Sequence, residues 1–516
     1  MRLPRAAGIL LHPTSLPGPH GSGDLGPSAF HFVDWLVAGG QRLWQMLPVG
    51  PVGEGHSPYM SPSAFAGNPQ LVDLGELHER GWLAAEELAD PPRFPDRRVA
   101  FADVAPWRAA RLARAAARFA DTASPQERAE LDAFRRRESA WLRDYALFMA
   151  LDEHFGGRPW GEWERGLAVR EPGALADAAR ALGPRVAAHE FVQWCFFRQW
   201  ARLRAYANAR DVRLVGDVPI FVSYRSADAW SQPHLFELDA DGRQTAVAGV
   251  PPDLFSATGQ HWGNPLYRWP AHARDGYAWW TARIRRTFEL VDLARIDHFR
   301  GFAAYWEIPA GEATAVNGRW VPGPGEALFD AVGAALGPLP VIAEDLGIIT
   351  PDVDALRRAL GFPGMAVLHF AWGQPDGSAN RYLPHNLDHA TVCLTGTHDN
   401  DTSVGWWAAQ SEAVRRDVRD YLATDGHDIA WTLVRAACAS VADTAIVPMQ
   451  DALRLGGEHR MNLPGTANGN WGWRFTWADV GPAPADYLRR LAELYGRLGE
   501  AGPGLRPVPA SAATAS

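Results

Sequence analysis

Val291-Asp292-Leu293-Ala294-Arg295-Ile296-Asp297 is a short, mostly apolar run that ends on a carboxylate. A run of this length, closed by a polar group, reads as a buried strand with chemistry at its C-terminal edge. Seven more runs of the same kind occur along the chain. They are Gly8–His12, Leu43–Leu47, Val212–Asp217, Val341–Glu344, Met365–His369, Thr391–Thr395 and Thr444–Pro448. Helical patterns lie between many of them, for instance Asp352–Ala359 and Ser411–Leu422. Eight buried strands alternating with helices predict an α/β chain folded as a (β/α)8 TIM barrel. A doubly wound sheet is the competing arrangement. Polar and charged strand ends around the whole series favour the barrel, whose sites gather on that one face.

Outside the runs, two long stretches stand apart. Residues 75–210 are rich in Ala, Arg, Leu and Glu and read as a mostly helical insertion within a single barrel domain spanning 1–500. Residues 223–288 are rich in aromatics, Gly and Pro and read as irregular active-site loop, including a lid at 249–265. The Pro/Ala/Ser-rich end, 501–516, reads as a disordered tail.

The composition excludes several chemistries. With 47% hydrophobic residues in 516, the chain can bury a large core. All 50 basic residues are arginine. Without lysine there is no Schiff base, no lysine-anchored pyridoxal phosphate and no phosphate-loop lysine, so kinase, P-loop and aldolase readings fall. A net charge of −9 gives no reason to expect a nucleic-acid partner. Cys195, Cys393 and Cys438 are far apart, lack metal-ligand spacing and read as buried thiols in a reducing compartment. No apolar run is long enough for a signal peptide or a membrane span, so a cytoplasmic location is expected. The 23 tryptophans suit both core packing and sugar-ring stacking.

Three acidic sites stand at strand ends: Arg295-Ile296-Asp297-His298, Ala343-Glu344-Asp345 and Thr397-His398-Asp399-Asn400. Any one acid there, taken alone, reads first as a helix cap or a salt-bridge partner. Three on neighbouring strands of one barrel would converge on one pocket. Glycosyl transfer needs such a set: one carboxylate attacks the anomeric carbon while a second, protonated, donates to the leaving oxygen. Arg295 lies two residues before Asp297, on the same side of a strand, where it would hold that acid ionised. Glu344 closes an apolar run, where desolvation would keep it protonated for general-acid work.

These three motifs resemble the catalytic signatures of the 4-α-glucanotransferases, family 77 of the glycoside hydrolases in the α-amylase clan. The resemblance extends to Ser57-Pro58-Tyr59 with Ser61–Pro69, to Gly249–Pro265, to Arg460–Gly465 and to Gly469–Arg474. It implies Asp297 as nucleophile, Glu344 as acid/base and Asp399 as transition-state stabiliser. It also implies Arg295 and His398 as donor-sugar contacts. Tyr59, Asp253, Phe255, Gln260, Trp262 and Asn462 would line the donor and acceptor subsites. The substrates it implies are maltooligosaccharides, amylose or glycogen-derived glucans. No cofactor, metal, nucleic acid or membrane is expected, nor a C-terminal β-sandwich, and the assembly state is expected to be a monomer or weak homo-oligomer. A metal hydrolase remains a weak rival because His12, His298, His369, His385 and His398 show no ligand spacing. A related retaining glucosidase and a non-catalytic glucan-binding barrel also compete with the transferase.

Overall fold

The structure is a computed structural model that describes residues 3–89, 91–252, 256–347 and 349–498. Eight parallel strands follow one another around a ring: β1 (Ala6–Leu10), β2 (Leu43–Gln45), β3 (Arg213–Val218), β4 (Leu293–Ile296), β5 (Val341–Ala343), β6 (Gly364–Val367), β7 (Thr391–Leu394) and β8 (Thr444–Pro448). Each overlaps one of the eight runs read from the sequence, the first being shifted most, to begin at Ala6 where the run begins at Gly8. Neighbouring strands pair in parallel from β1 to β5 and from β6 to β8, and β8 pairs with β1. The ring is drawn together at β5–β6, where the Ala343 N–H donates to the Pro363 carbonyl at 2.9 Å. The barrel architecture follows, with the strand residues almost wholly buried, as parallel sheets require. Gly8 permits the close approach of β1 to β2, since a Cβ there would lie 2.5 Å from Leu43 Cβ.

Helices cover the outside. Pro27–Ala38 links β1 to β2, Gly183–Asn208 leads into β3, Ala278–Leu290 into β4 and Glu326–Leu336 into β5. Pro351–Ala359 leads into β6, and Glu412–Leu422 with Ile429–Ala439 into β8. The link from β6 to β7 departs from the ideal alternation and holds short 3-10 turns in place of an α-helix.

The described residues of 75–210 are mostly helical, with Phe101–Thr122, Pro125–Arg137 and Leu142–His154 the longest helices before Gly183–Asn208. Local chemistry sets their starts. At Pro125–Arg137, Ser124 and Glu127 form a reciprocal capping box and Pro125 occupies the first turn. The last helix of the stretch belongs to the barrel wall, since it packs on Pro27–Ala38 and on β3. The inserted helices attach to it through an aromatic cluster of Trp82, Phe119, Phe191 and Trp194.

The expectation of irregular structure over 223–288 is corrected. This stretch contributes strands Ala246–Val250 and Gln260–Pro265 to a four-stranded antiparallel sheet completed by Ala304–Pro309 and Arg319–Pro322. Helices Trp269–Arg274 and Ala278–Leu290 follow. The strand Gln260–Pro265 is hidden in the sequence because Gln-His-Trp-Gly-Asn-Pro carries neither apolar alternation nor β-branched residues. Pairing with Ala246–Val250, which Ala304–Pro309 holds from its other side, supplies what local propensity lacks. The expected tail, 501–516, lies outside the described residues.

Candidate active site

The strand register brings the acids to one end of the barrel. Asp217 on β3 stands opposite Arg295 on β4, which stands opposite Ile342 on β5. Beyond the paired residues the ladder continues: Asp297 N–H donates to the Val218 carbonyl and Glu344 N–H to the Ile296 carbonyl, each at 3.0 Å. Asp297 and Glu344 therefore leave adjacent strands at the same level.

Arg295 joins two carboxylates. Its Nη1 donates to both oxygens of Asp217, at 2.8 and 2.6 Å, and its Nη2 donates to Asp297 Oδ1 at 2.7 Å. The guanidinium and Asp217 are buried, whereas the Asp297 side chain keeps 30% of its surface open. That gradient leaves Asp297 reachable by a ligand and Asp217 as its support. Both terminal nitrogens of Arg295 are thus engaged by acids, which makes it an organiser of the carboxylates.

Glu344 sits in a different environment. His298 N–H donates to its Oε2 at 2.7 Å and Leu346 N–H to its Oε1 at 2.8 Å. Burial pushes its carboxyl up from 4.5 to about 7, helped by the negative charge of Asp297 and opposed by Arg295 and the two amides. His298 reaches its place through a left-handed backbone, φ 51°, a conformation uncommon for a residue with a side chain. Burial holds its imidazole down at about 4, hence neutral.

Asp399 arrives from the loop after β7. Asn462 Nδ2 donates to its Oδ1 at 2.6 Å, and Arg460 donates to its backbone carbonyl. His398 Nε2 lies 3.4 Å from the same carboxylate oxygen. Tyr59 ties this loop to the other acids. Its hydroxyl donates to Asp217 Oδ2 at 2.7 Å and lies 2.9 Å from His398 Nε2, so that nitrogen carries the proton and donates back. The Tyr59 and His398 rings stack at 5.2 Å, with Trp471 against both. One connected set of contacts therefore runs from Asp399 through His398, Tyr59, Asp217 and Arg295 to Asp297.

Residues 11–479 of this chain match the family model described as 4-alpha-glucanotransferase. The chain belongs to the 4-alpha-glucanotransferase family. It is 51% identical to the 4-alpha-glucanotransferase of Thermus thermophilus, over 96% of this chain and 100% of that one. Its identity to the Synechocystis 4-alpha-glucanotransferase is 47%, over 96% of this chain and 98% of the relative. Among solved structures it is similar to an amylomaltase from Streptococcus agalactiae in complex with acarbose. The TM-score there is 0.93 at 38% identity, covering 96% of this chain and 100% of that one.

Trp262 and Gln260 stand at the rim of the site in this 4-alpha-glucanotransferase family chain. Trp262, half-buried, meets the His298 ring edge-on at 4.8 Å and is steadied by Gln260, whose Oε1 accepts its indole N–H at 3.0 Å. Gln260 itself is exposed. Asp253 and Phe255 lie outside the described residues. The sequence reading passes over Asp217, although the third run ends on it; the signal is an acid at a strand end opposite Arg295. Arg460 and Trp471 fall within the C-terminal motifs and gain their roles only from these contacts.

The histidines separate by surroundings. His12 lies in the wall beside His398 and burial holds it at about 3. His369 bonds Ser403, and His385 bonds Tyr421. Among the described residues no three His, Cys, Asp or Glu side chains gather as a metal-ligand set. The three cysteines are free and buried. No helix among the described residues is long and apolar enough to cross a membrane.

Proposed function

We propose that this chain carries out the 4-α-glucanotransferase reaction by a retaining double displacement on the carboxylates just described. An Asp297 oxygen attacks C1 of the donor sugar. The bond from C1 to the leaving 4-oxygen breaks, and that oxygen takes its proton from Glu344. Asp399 faces the positive charge that builds on the ring, held by the Asn462 amide with His398 beside it. The 4-hydroxyl of an acceptor glucan then attacks C1 and gives its proton to Glu344, and Asp297 is released. The glucan segment has moved with its anomeric configuration retained.

The observation that carries this reading is the contrast between the two flanking acids. Asp297 is paired with a buried guanidinium and partly open, while Glu344 is buried and pushed up to about 7. Environments that separate two carboxyls in this way divide the roles of nucleophile and proton donor. Transfer over hydrolysis would come from an acceptor held in place while water is excluded. Trp262, with Phe255 and the 249–265 lid, is the segment to which we assign that task.

The substrates in this reading are maltooligosaccharides, amylose or glycogen-derived glucans. The enzyme would work in the cytoplasm, without metal or cofactor, as a monomer or weak homo-oligomer. Incubation with maltotriose tests it. A growing ladder of longer and shorter maltodextrins is expected. Glucose as the sole end product would instead favour a hydrolase, and no change at all a binding protein.

A further inference from the structure

The loop that carries His398 and Asp399 spans residues 396–402, between β7 and the helix Ser403–Ala409. Both of its ends are fastened to one buried carboxylate. Asp451 belongs to the short helix Met449–Ala452 that follows β8. It accepts from Thr395 Oγ1 at 2.5 Å, at the loop's start. It accepts from the N–H and the hydroxyl of Ser403, each at 2.7 Å, at the loop's end. All three residues are at most 1% exposed.

Proton counting orders this cluster. Three donors point at Asp451, so its carboxylate is the acceptor in each bond. The Ser403 proton is thereby committed to Asp451, and its lone pair faces His369 Nε2 at 3.0 Å. His369 must then donate from Nε2. Its ring lies parallel to Trp406, 4.9 Å away at 5°. The loop begins by passing against that ring: a Cβ on Gly396 would come 2.8 Å from His369 Cε1, so only glycine fits. Among the described residues no ion pair includes Asp451. A carboxylate buried without a cation is costly, and fold stability alone gives little reason to keep one.

We propose that Asp451 is a positioning residue for the transfer reaction, fixing both ends of the 396–402 loop and so the height of Asp399 and His398 over the bound sugar. The proposal rests on the role assigned to Asp399 above. Holding a catalytic group to a fraction of an ångström matters because a displacement of about 1 Å costs on the order of 10²-fold in rate.

The test is Asp451→Asn, which keeps the shape but turns two of the acceptor sites into an amide N–H2. Rates are followed with an activated glycosyl fluoride donor, so that weak variants remain readable. Asp451→Asn is expected to lower kcat by about tenfold or more with KM within about twofold. In a cycle with Asp399→Asn, its further effect should shrink to about twofold or less. Losses that multiply independently, or an unchanged kcat, would overturn the inference. Should Asp451→Asn not fold, Ser403→Ala and Thr395→Val each free one loop end and must show the same non-additive pattern. An Asp399→Asn enzyme with full activity would instead sink the site assignment itself, a result distinguishable from failure of the clamp.

Discussion

The displaced titration of Glu344 makes a prediction that can be worked through in two ways. The carboxyl moves from 4.5 to about 7 because the folded chain buries it beside Asp297. A shift of that size is worth roughly 3 kcal/mol against ionisation. As the proton donor, Glu344 must be protonated in the free enzyme. The rate kcat/KM for maltotriose should therefore fall as pH rises through about 7, about tenfold per unit beyond it. The same shift acts on stability with a defined sign. Between 4.5 and about 7 the folded state holds more protons than the unfolded one, so this contribution declines as pH rises. Glu344→Gln has no such titration. In urea melts, the stability of Glu344→Gln relative to the parent should rise by roughly 3 kcal/mol from about pH 4.5 to about pH 8. A kcat/KM profile that is flat from about pH 6 to 9, with a pH-independent stability difference, would refute the assignment of Glu344 as a buried acid.

Other expectations follow from the same contacts. Asn462→Ala removes a 2.6 Å charged hydrogen bond from Asp399, so kcat/KM should drop by about 10- to 100-fold with the melting temperature little changed. Arg295→Met leaves Asp217 buried without its cation. It should destabilise the fold by about 3–5 kcal/mol, measured by denaturant titration, and abolish transfer. Tyr59→Phe removes the hydroxyl between Asp217 and His398, and a loss of kcat with intact folding by circular dichroism is expected. Dialysis against a chelator should leave the maltodextrin ladder unchanged; a loss restored by a divalent ion would reopen the metal reading.

The barrel is legible in the sequence because its strands carry their signal locally. Each is a short, mostly apolar run, several of them closed by a polar group, and burial on both faces demands no more. The pairing of Arg295 with Asp297 is legible too, since two residues along a strand share a face. What stays hidden depends on contacts between separate strands. Asp217 joins the site only because register sets it opposite Arg295, and Asp451 only because β8 lies beside β7. The strand Gln260–Pro265 escapes a sequence reading for the same reason, being made by its partner Ala246–Val250 rather than by its own residues. The tryptophans are ambiguous in composition. Trp44, Trp82, Trp160, Trp200, Trp230 and Trp280 are core, while Trp262 and Trp471 stand at the site.

In the proposed reaction a glucosyl unit passes through a covalent bond to Asp297. Glu344→Gln incubated with an α-maltosyl fluoride bypasses the need for the acid in the first half-reaction and slows the second, which lacks its base. Mass spectrometry of the digested protein should then find a maltosyl adduct on the peptide containing Asp297. Fluoride release with no adduct there, or an adduct on another side chain, would contradict the account.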